Sequence, residues 1–215
     1  MSKKKFLKTL GCILLVIIVI ILIHTVRNYI IITKLQTNIS NYANSTNFYK
    51  ATITTIEDGT KVTVKYYKKD NKQAVFINRD LNENKKQVAM YDNGDRVDIF
   101  IDSKESKVAK LNSGKIMSDG IYNQLENENK WQTFLGSILA NVRKTNYNNK
   151  ECYIIKNFLS TTSLEYEGAK IYVEKDTGLL IRTDEGDAVA EYEYDFDNVD
   201  DSIFAEPDIS QYTLE

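Results

Sequence analysis

Residues 86–102, KQVAMYDNGDRVDIFID, decide the fold class. The run from Lys86 to Tyr91 leads into Asp92-Asn93-Gly94, and Val97, Ile99 and Ile101 then alternate with Asp98 and Asp102. Asp-Asn-Gly between two such runs is a strong hairpin signal, because Asn and Gly tolerate the positive φ that a tight turn between twisted strands requires. The same period of two extends backwards. Lys61 to Tyr67 sets Val62, Val64 and Tyr66 on one face. Ala51 to Ile56 is β-branched and closes on Glu57-Asp58-Gly59, and Gln73 to Asn78 follows a turn at Lys69-Asp70-Asn71. From Tyr49 onward the pattern predicts a meander of antiparallel strands.

Beyond Leu111 the period changes. Ser118 or Asp119 is a suitable cap for a short helix carrying Ile121 and Leu125. Trp131, Phe134, Leu135, Ile138, Leu139 and Val142 then fall at i, i+3, i+4, i+7, i+8 and i+11, which predicts one wide apolar helix face packed into a core. Arg143 and Lys144 suit the C-terminal end of that helix. Strands resume at Cys152 to Phe158, Lys170 to Glu174, Leu179 to Thr183 and Val189 to Phe196. Turns separate them at Asp176-Thr177-Gly178 and Glu185-Gly186-Asp187.

The N-terminus sets location. Lys3, Lys4, Lys5 and Lys8 precede a stretch with no charged residue, from Thr9 to Val26. Eighteen helical residues span about 27 Å, close to the hydrocarbon thickness of a bilayer. No small-x-small cleavage site follows, since the next residues after Ile23 are His24, Thr25, Val26, Arg27, Asn28 and Tyr29. An uncleaved single-pass anchor is expected. The excess of cations before it places the N-terminus in the cytoplasm and the rest of the chain outside the cell membrane. Ile31, Leu35, Ile39 and Tyr42 continue a helical stripe beyond the span, until Asn44-Ser45-Thr46-Asn47 ends it.

Composition removes many function classes. The net charge is −2 and gives no basic footprint for nucleic acid. A single histidine, His24, lies at the membrane border, so Ser-His and Cys-His nucleophilic machinery has no base. Cys12 falls inside the apolar segment, which leaves Cys152 without a disulfide partner outside the membrane. No catalytic residue, metal site or cofactor is expected. The segment from Glu174 to Glu215 holds 14 acidic and 2 basic residues. Within it Glu191, Glu193, Asp195 and Asp197 alternate with Tyr192, Tyr194 and Phe196, so the carboxylates are expected on a solvent-facing side and the aromatics toward the helices. Asp195, Asp197 and Glu206 match three positions of a calcium loop, but Val199 and Asp200 stand where a ligand and a glycine are needed.

Two stretches of this segment, IYVEKDTGLLIR (171–182) and EYEYDFDNVDDSIFAEPD (191–208), resemble the end of the LolA/RseB-like family of periplasmic lipoprotein carriers and their Gram-positive relatives. The resemblance implies an α+β fold, with a twisted antiparallel half-barrel wrapped around helices and an apolar cavity that holds acyl chains. It makes Trp131, Phe134, Leu135, Ile138 and Leu139 candidates for the lid or plug of such a cavity. A tethered chain cannot shuttle between membranes as the family's soluble carriers do. The expected organisation is a cytoplasmic N-terminus (1–8), a transmembrane signal anchor (9–30), a helical connection (31–46) and an extracytoplasmic domain (47–215). The expected function is a non-enzymatic, membrane-tethered binding module for a lipid, a lipoprotein acyl chain or another apolar ligand. The alternative is an envelope sensor, or a protein-interaction ectodomain with a partner in the membrane or envelope.

Overall fold

The computed structural model describes residues 3–43, 45–81, 84–94, 96–112, 114, 130–157 and 169–215. One long helix, α1 (Lys3–Ala43), leads into antiparallel strands with a second helix, α2 (Lys130–Leu139), between them. This is the expected α+β architecture with an N-terminal helix. In chain order the strands before α2 are β1 (Asn47–Ile56), β2 (Lys61–Lys69), β3 (Lys72–Leu81), β4 (Asn84–Asp92), β5 (Val97–Ser103) and β6 (Lys107–Lys110). Those after it are β7 (Asn141–Tyr147), β8 (Lys150–Lys156), β9 (Lys170–Glu174), β10 (Leu180–Asp184), β11 (Ala188–Asp195) and β12 (Thr213–Leu214). The chain divides into two compact units, Met1–Ile39 with Asn123–Leu179, and Ser40–Tyr122 with Leu180–Glu215. The segment 47–215 is therefore shared between two units. The short helix expected around Ile121 and Leu125 lies outside the described residues.

In the first unit, β7, β8 and β9 form an antiparallel ladder. Val142, Ile155 and Ile171 stand side by side across it and are buried, as is Val173. The unit's core is completed by α1. That helix is exposed from Leu7 to His24; beyond this, Thr25, Asn28, Ile32, Leu35 and Ile39 are buried at spacings of three and four. The buried stripe thus begins two turns earlier than the apolar residues alone predict, because its first members are polar.

The turn after β9 explains part of the sequence signature. Gly178 donates its N–H to the Glu174 carbonyl at 2.9 Å, and Thr177 Oγ1 donates to Glu174 Oε2 at 2.9 Å. Gly178 has φ +73°, and a Cβ there would lie 2.3 Å from the Leu35 carbonyl oxygen on α1. Asn38 of α1 donates to the Lys175 carbonyl of the same turn at 3.1 Å. The glycine is required by close backbone approach as well as by conformation.

Helix α2 differs from expectation in length and in orientation. It ends at Leu139, so Val142, Arg143 and Lys144 lie on β7 and do not extend or cap the helix. Its buried side is Thr133, Gly136 and Ser137, whereas Trp131, Leu135, Ile138 and Leu139 are exposed. The cause is polar pairing with α1. Gln36 Nε2 donates to Thr133 Oγ1 at 3.2 Å, and Asn28 Nδ2 donates to the carbonyls of Ala140 at 2.7 Å and Ser137 at 3.4 Å. Asn28 satisfies carbonyls that a helix end leaves without an internal partner.

The strands of the second unit form a sheet in the order β12-β6-β5-β4-β3-β2-β1-β11-β10. All neighbours pair antiparallel except β12 with β6, which is parallel. One face carries Ala74, Tyr91, Phe100 and Ala109, and Val199 and Phe204 of the C-terminal segment bury them. A relay of ring contacts crosses that face, Tyr49–Tyr67–Phe76–Tyr91–Phe100–Tyr212, with centroids 4.8–5.8 Å apart. On β11, Glu193 is exposed and Tyr194 is half-buried, with its phenol raised above the ordinary range by burial. Phe196 packs on Tyr42 of the last turn of α1, ring centroids 4.7 Å apart, whereas Glu191 and Asp195, expected to face solvent, are half-buried like the aromatics.

Gly178→Ala is expected to cost about 2–5 kcal/mol, from a strained φ and a backbone collision. Gly186 has the same φ of +73° with open space around it, so Gly186→Ala should cost only the conformational part, about 1–2 kcal/mol. Chemical unfolding of the full chain in detergent measures both. Equal losses would show that the approach of α1 to the turn is not a constraint.

Candidate functional site

The sheet of the second unit has a second apolar face. Side chains alternate, so once Ala74, Tyr91 and Phe100 point to one side, their neighbours must point to the other. The register brings Val64, Ile77, Val88, Ile101 and Val108 into one continuous row across five strands. A second row, Tyr66, Val75, Met90 and Ile99, runs beside it. Tyr66 and Val75 are buried, and the five residues of the first row, with Met90 and Ile99, are half-buried.

The two ends of these rows differ. At one end Val62, Arg79, Lys86 and Ser103 stand opposite one another, and Arg79 and Lys86 are exposed. At the other, the Tyr66 hydroxyl donates to Gln73 Oε1 at 2.9 Å. The arrangement is an apolar floor with a cationic rim at one end. It offers dispersion contact along a chain of methylenes and a charge for an anionic head.

The sequence-predicted residues form a separate surface in the first unit. Trp131, Leu135, Ile138 and Leu139 are exposed on α2, and Phe134 is half-buried against Tyr29, with ring centroids 5.8 Å apart. Trp131 stacks on Phe134 at 5.9 Å. On α1 a recess of about 500 Å³ runs along Leu22, Ile23, Val26, Arg27, Ile30 and Ile31.

The titratable groups are occupied by structure. His24 Nε2 lies 3.1 Å from the Ala140 carbonyl and 3.0 Å from Asn28 Nδ2. The Cys152 side chain is buried, donates to the Lys150 carbonyl at 3.3 Å, and has its thiol pushed up by burial. Glu151 accepts hydrogen bonds from Lys144 and Lys175, which pull its carboxyl down to about 2. The acidic C-terminal segment serves as caps and straps. Asp200 and Asp208 accept the N–H groups of Ser202 and Ser210, Asp201 pairs with Lys69, Glu206 with Arg96, and Glu215 with Lys110. Among the described residues no three His, Cys, Asp or Glu side chains are grouped to hold a metal ion.

No family model matches the chain, and no curated protein matches it. Similar solved structures include an uncharacterized conserved protein from Thermus thermophilus, at 9% identity over 85% of this chain and 98% of its own, with a TM-score of 0.45. MucB in complex with MucA(peri) is similar at 10% identity over 81% of this chain and 59% of its own, with a TM-score of 0.40. A LolA superfamily protein from Nitrosomonas europaea is similar at 11% identity over 81% of this chain and 97% of its own, with a TM-score of 0.28.

Cys152 is expected to resist maleimide labelling in the folded chain and to react once denaturant is added, because the thiolate is disfavoured and the sulfur is covered. Mass spectrometry of a Cys12→Ala chain reads this directly. Rapid labelling without denaturant would make Cys152 a reactive thiol.

Proposed function

We propose that the chain is a membrane-tethered, non-enzymatic binding module whose second unit holds an apolar ligand, a lipid or lipoprotein acyl chain, on the open face of its sheet. The row Val64, Ile77, Val88, Ile101 and Val108 carries the reading. Five aliphatic side chains in register across five strands fit an extended hydrocarbon, and each methylene removed from water contributes about 0.8 kcal/mol. Arg79 and Lys86 at the end of the face suit a carboxylate or phosphate head.

Tethering rests on α1. The stretch Leu7–Tyr42 is long and apolar enough to cross a membrane, and its residues from Leu7 to Ile23 are exposed. With Lys3, Lys4, Lys5 and Lys8 on the cytoplasmic side, α2 and the strands stand outside the cell membrane. Trp131, Phe134, Leu135, Ile138 and Leu139 give the module a second lipid-contacting surface, on its first unit.

Val88→Asp places a charge in the middle of the row. It is expected to weaken binding of a fluorescent fatty-acid probe by about tenfold or more, since a charge there must be desolvated by the ligand. Val88 is half-buried on a central strand, so the variant also loses stability, and binding is measured well below its unfolding midpoint. Glu193→Gln, on β11 and separated from the row by β1, should bind as the parent does. Failure of the parent chain to bind any acyl probe would overturn the reading. Retention of a protein on this face in place of lipid would move it to an envelope sensor or interaction ectodomain.

A further inference from the structure

The two helices of the first unit are fastened together at one definite height. Asn28 donates to the carbonyls of Ala140 and Ser137, and His24 Nε2 lies 3.1 Å from that of Ala140. His24 and Asn28 bracket Val26, the last residue of the charge-free stretch, and Arg27, the first cation after it. At the other end of the pair Gln36 meets Thr133. Helix α2 therefore runs antiparallel to α1, and its C-terminal end sits where the apolar stretch of α1 ends.

Two further observations concern the same end of the unit. The side of α2 away from α1 is apolar and open, with Leu139 60%, Ile138 38%, Leu135 44% and Trp131 67% exposed. On α1, Val26 at 47% and Ile30 at 60% are exposed too. Second, the strand that leaves α2 opens a basic recess. Asn141, Lys156 and Lys170 stand opposite one another at the start of the ladder, and Arg143 follows two residues on, about 7 Å along the strand. With Ile154 and Tyr172 they line a recess of about 200 Å³ whose described lining includes no carboxylate. Arg143 Nε donates to Asn141 Oδ1 at 3.1 Å, which orients the guanidinium.

We propose that this end of the first unit rests on the bilayer that α1 spans, with Leu139, Ile138 and Leu135 at the acyl boundary of the outer leaflet, and Arg143 and Lys156 on the phosphates of its anionic lipid headgroups. The proposal rests on the reading of α1 as a membrane span. The hydrogen bonds from Asn28 place the C-terminal end of α2 at the height where the charge-free stretch of α1 ends, which selects the bilayer as the occupant of its exposed apolar side. The basic recess lies at the same height and supplies the complementary charge. Trp131, about 10 Å farther along α2 than Ile138, falls in the headgroup layer, where the indole ring is favoured.

Trp131 is the only tryptophan in the chain and serves as the probe. The full chain is reconstituted in phosphatidylcholine–phosphatidylglycerol vesicles whose acyl chains carry bromine either near the headgroup or near the methyl end. The expected result is blue-shifted Trp131 emission, quenched severalfold more by the shallow bromine than by the deep one. A chain carrying Arg143→Gln and Lys156→Gln should remain in the vesicles and lose the rise of quenching with phosphatidylglycerol content that the parent shows. Emission as in water, unquenched by either lipid, in a chain that still resists carbonate extraction would overturn the seating and leave the span and the acyl-binding face intact. Extraction by carbonate would remove the span and the proposal with it. Protection of Trp131 that follows protein concentration and not lipid would overturn the seating and assign the face to a second copy of the chain.

Discussion

The C-terminal segment covers one face of a sheet whose two faces are both apolar. Val199 and Phe204 close over Ala74, Tyr91, Phe100 and Ala109, and Tyr212 packs against that cluster. Asp200 and Asp208 shape the short turns that bring these side chains down, and Lys69, Arg96 and Lys110 hold the strap by ion pairs. Most of these pairs are exposed and contribute little each, so the strap is held chiefly by its buried rings. Because the strand period is two, sealing this face commits Val64, Ile77, Val88, Ile101 and Val108 to the other.

Much of this was legible in the sequence. The period of two from Tyr49, the Asp92-Asn93-Gly94 hairpin and the strand boundaries near Lys170 and Val189 are local signals, and the strands follow them closely. The open face was less legible for a physical reason. Val62, Val64 and Tyr66 do alternate with polar residues, but on β3 to β5 Phe76, Ala89, Tyr91 and Phe100 fill the intervening positions. Two apolar faces erase the contrast that alternation depends on. Register across five strands is a tertiary property, and only it lines the five aliphatic residues up.

Helix α2 shows the opposite case, a clear pattern facing the other way. Its stripe from Trp131 to Leu139 has the spacing of a core helix, yet the buried contacts are made by Thr133, Gly136 and Ser137. Small residues let the two backbones approach closely, and the Gln36–Thr133 and Asn28–Ala140 hydrogen bonds fix the pair. Polar residues on α1 carried the signal, in Thr25, Asn28 and Gln36, and no hydrophobic period reveals them. The acidic tail is a related case. Its spacing matches part of a calcium loop, whereas carboxylates of the tail cap turns and pair with lysine and arginine of the sheet.

A half-buried apolar sheet face beside a cationic rim is the feature from which the functional account follows. Native mass spectrometry of the full chain, released gently from its own membranes, tests that account most directly. It predicts a population of chain carrying one additional lipid mass that fragments to an acyl chain, and loss of that mass in Val88→Asp. Only the bare chain, across preparations in several mild detergents, would contradict it.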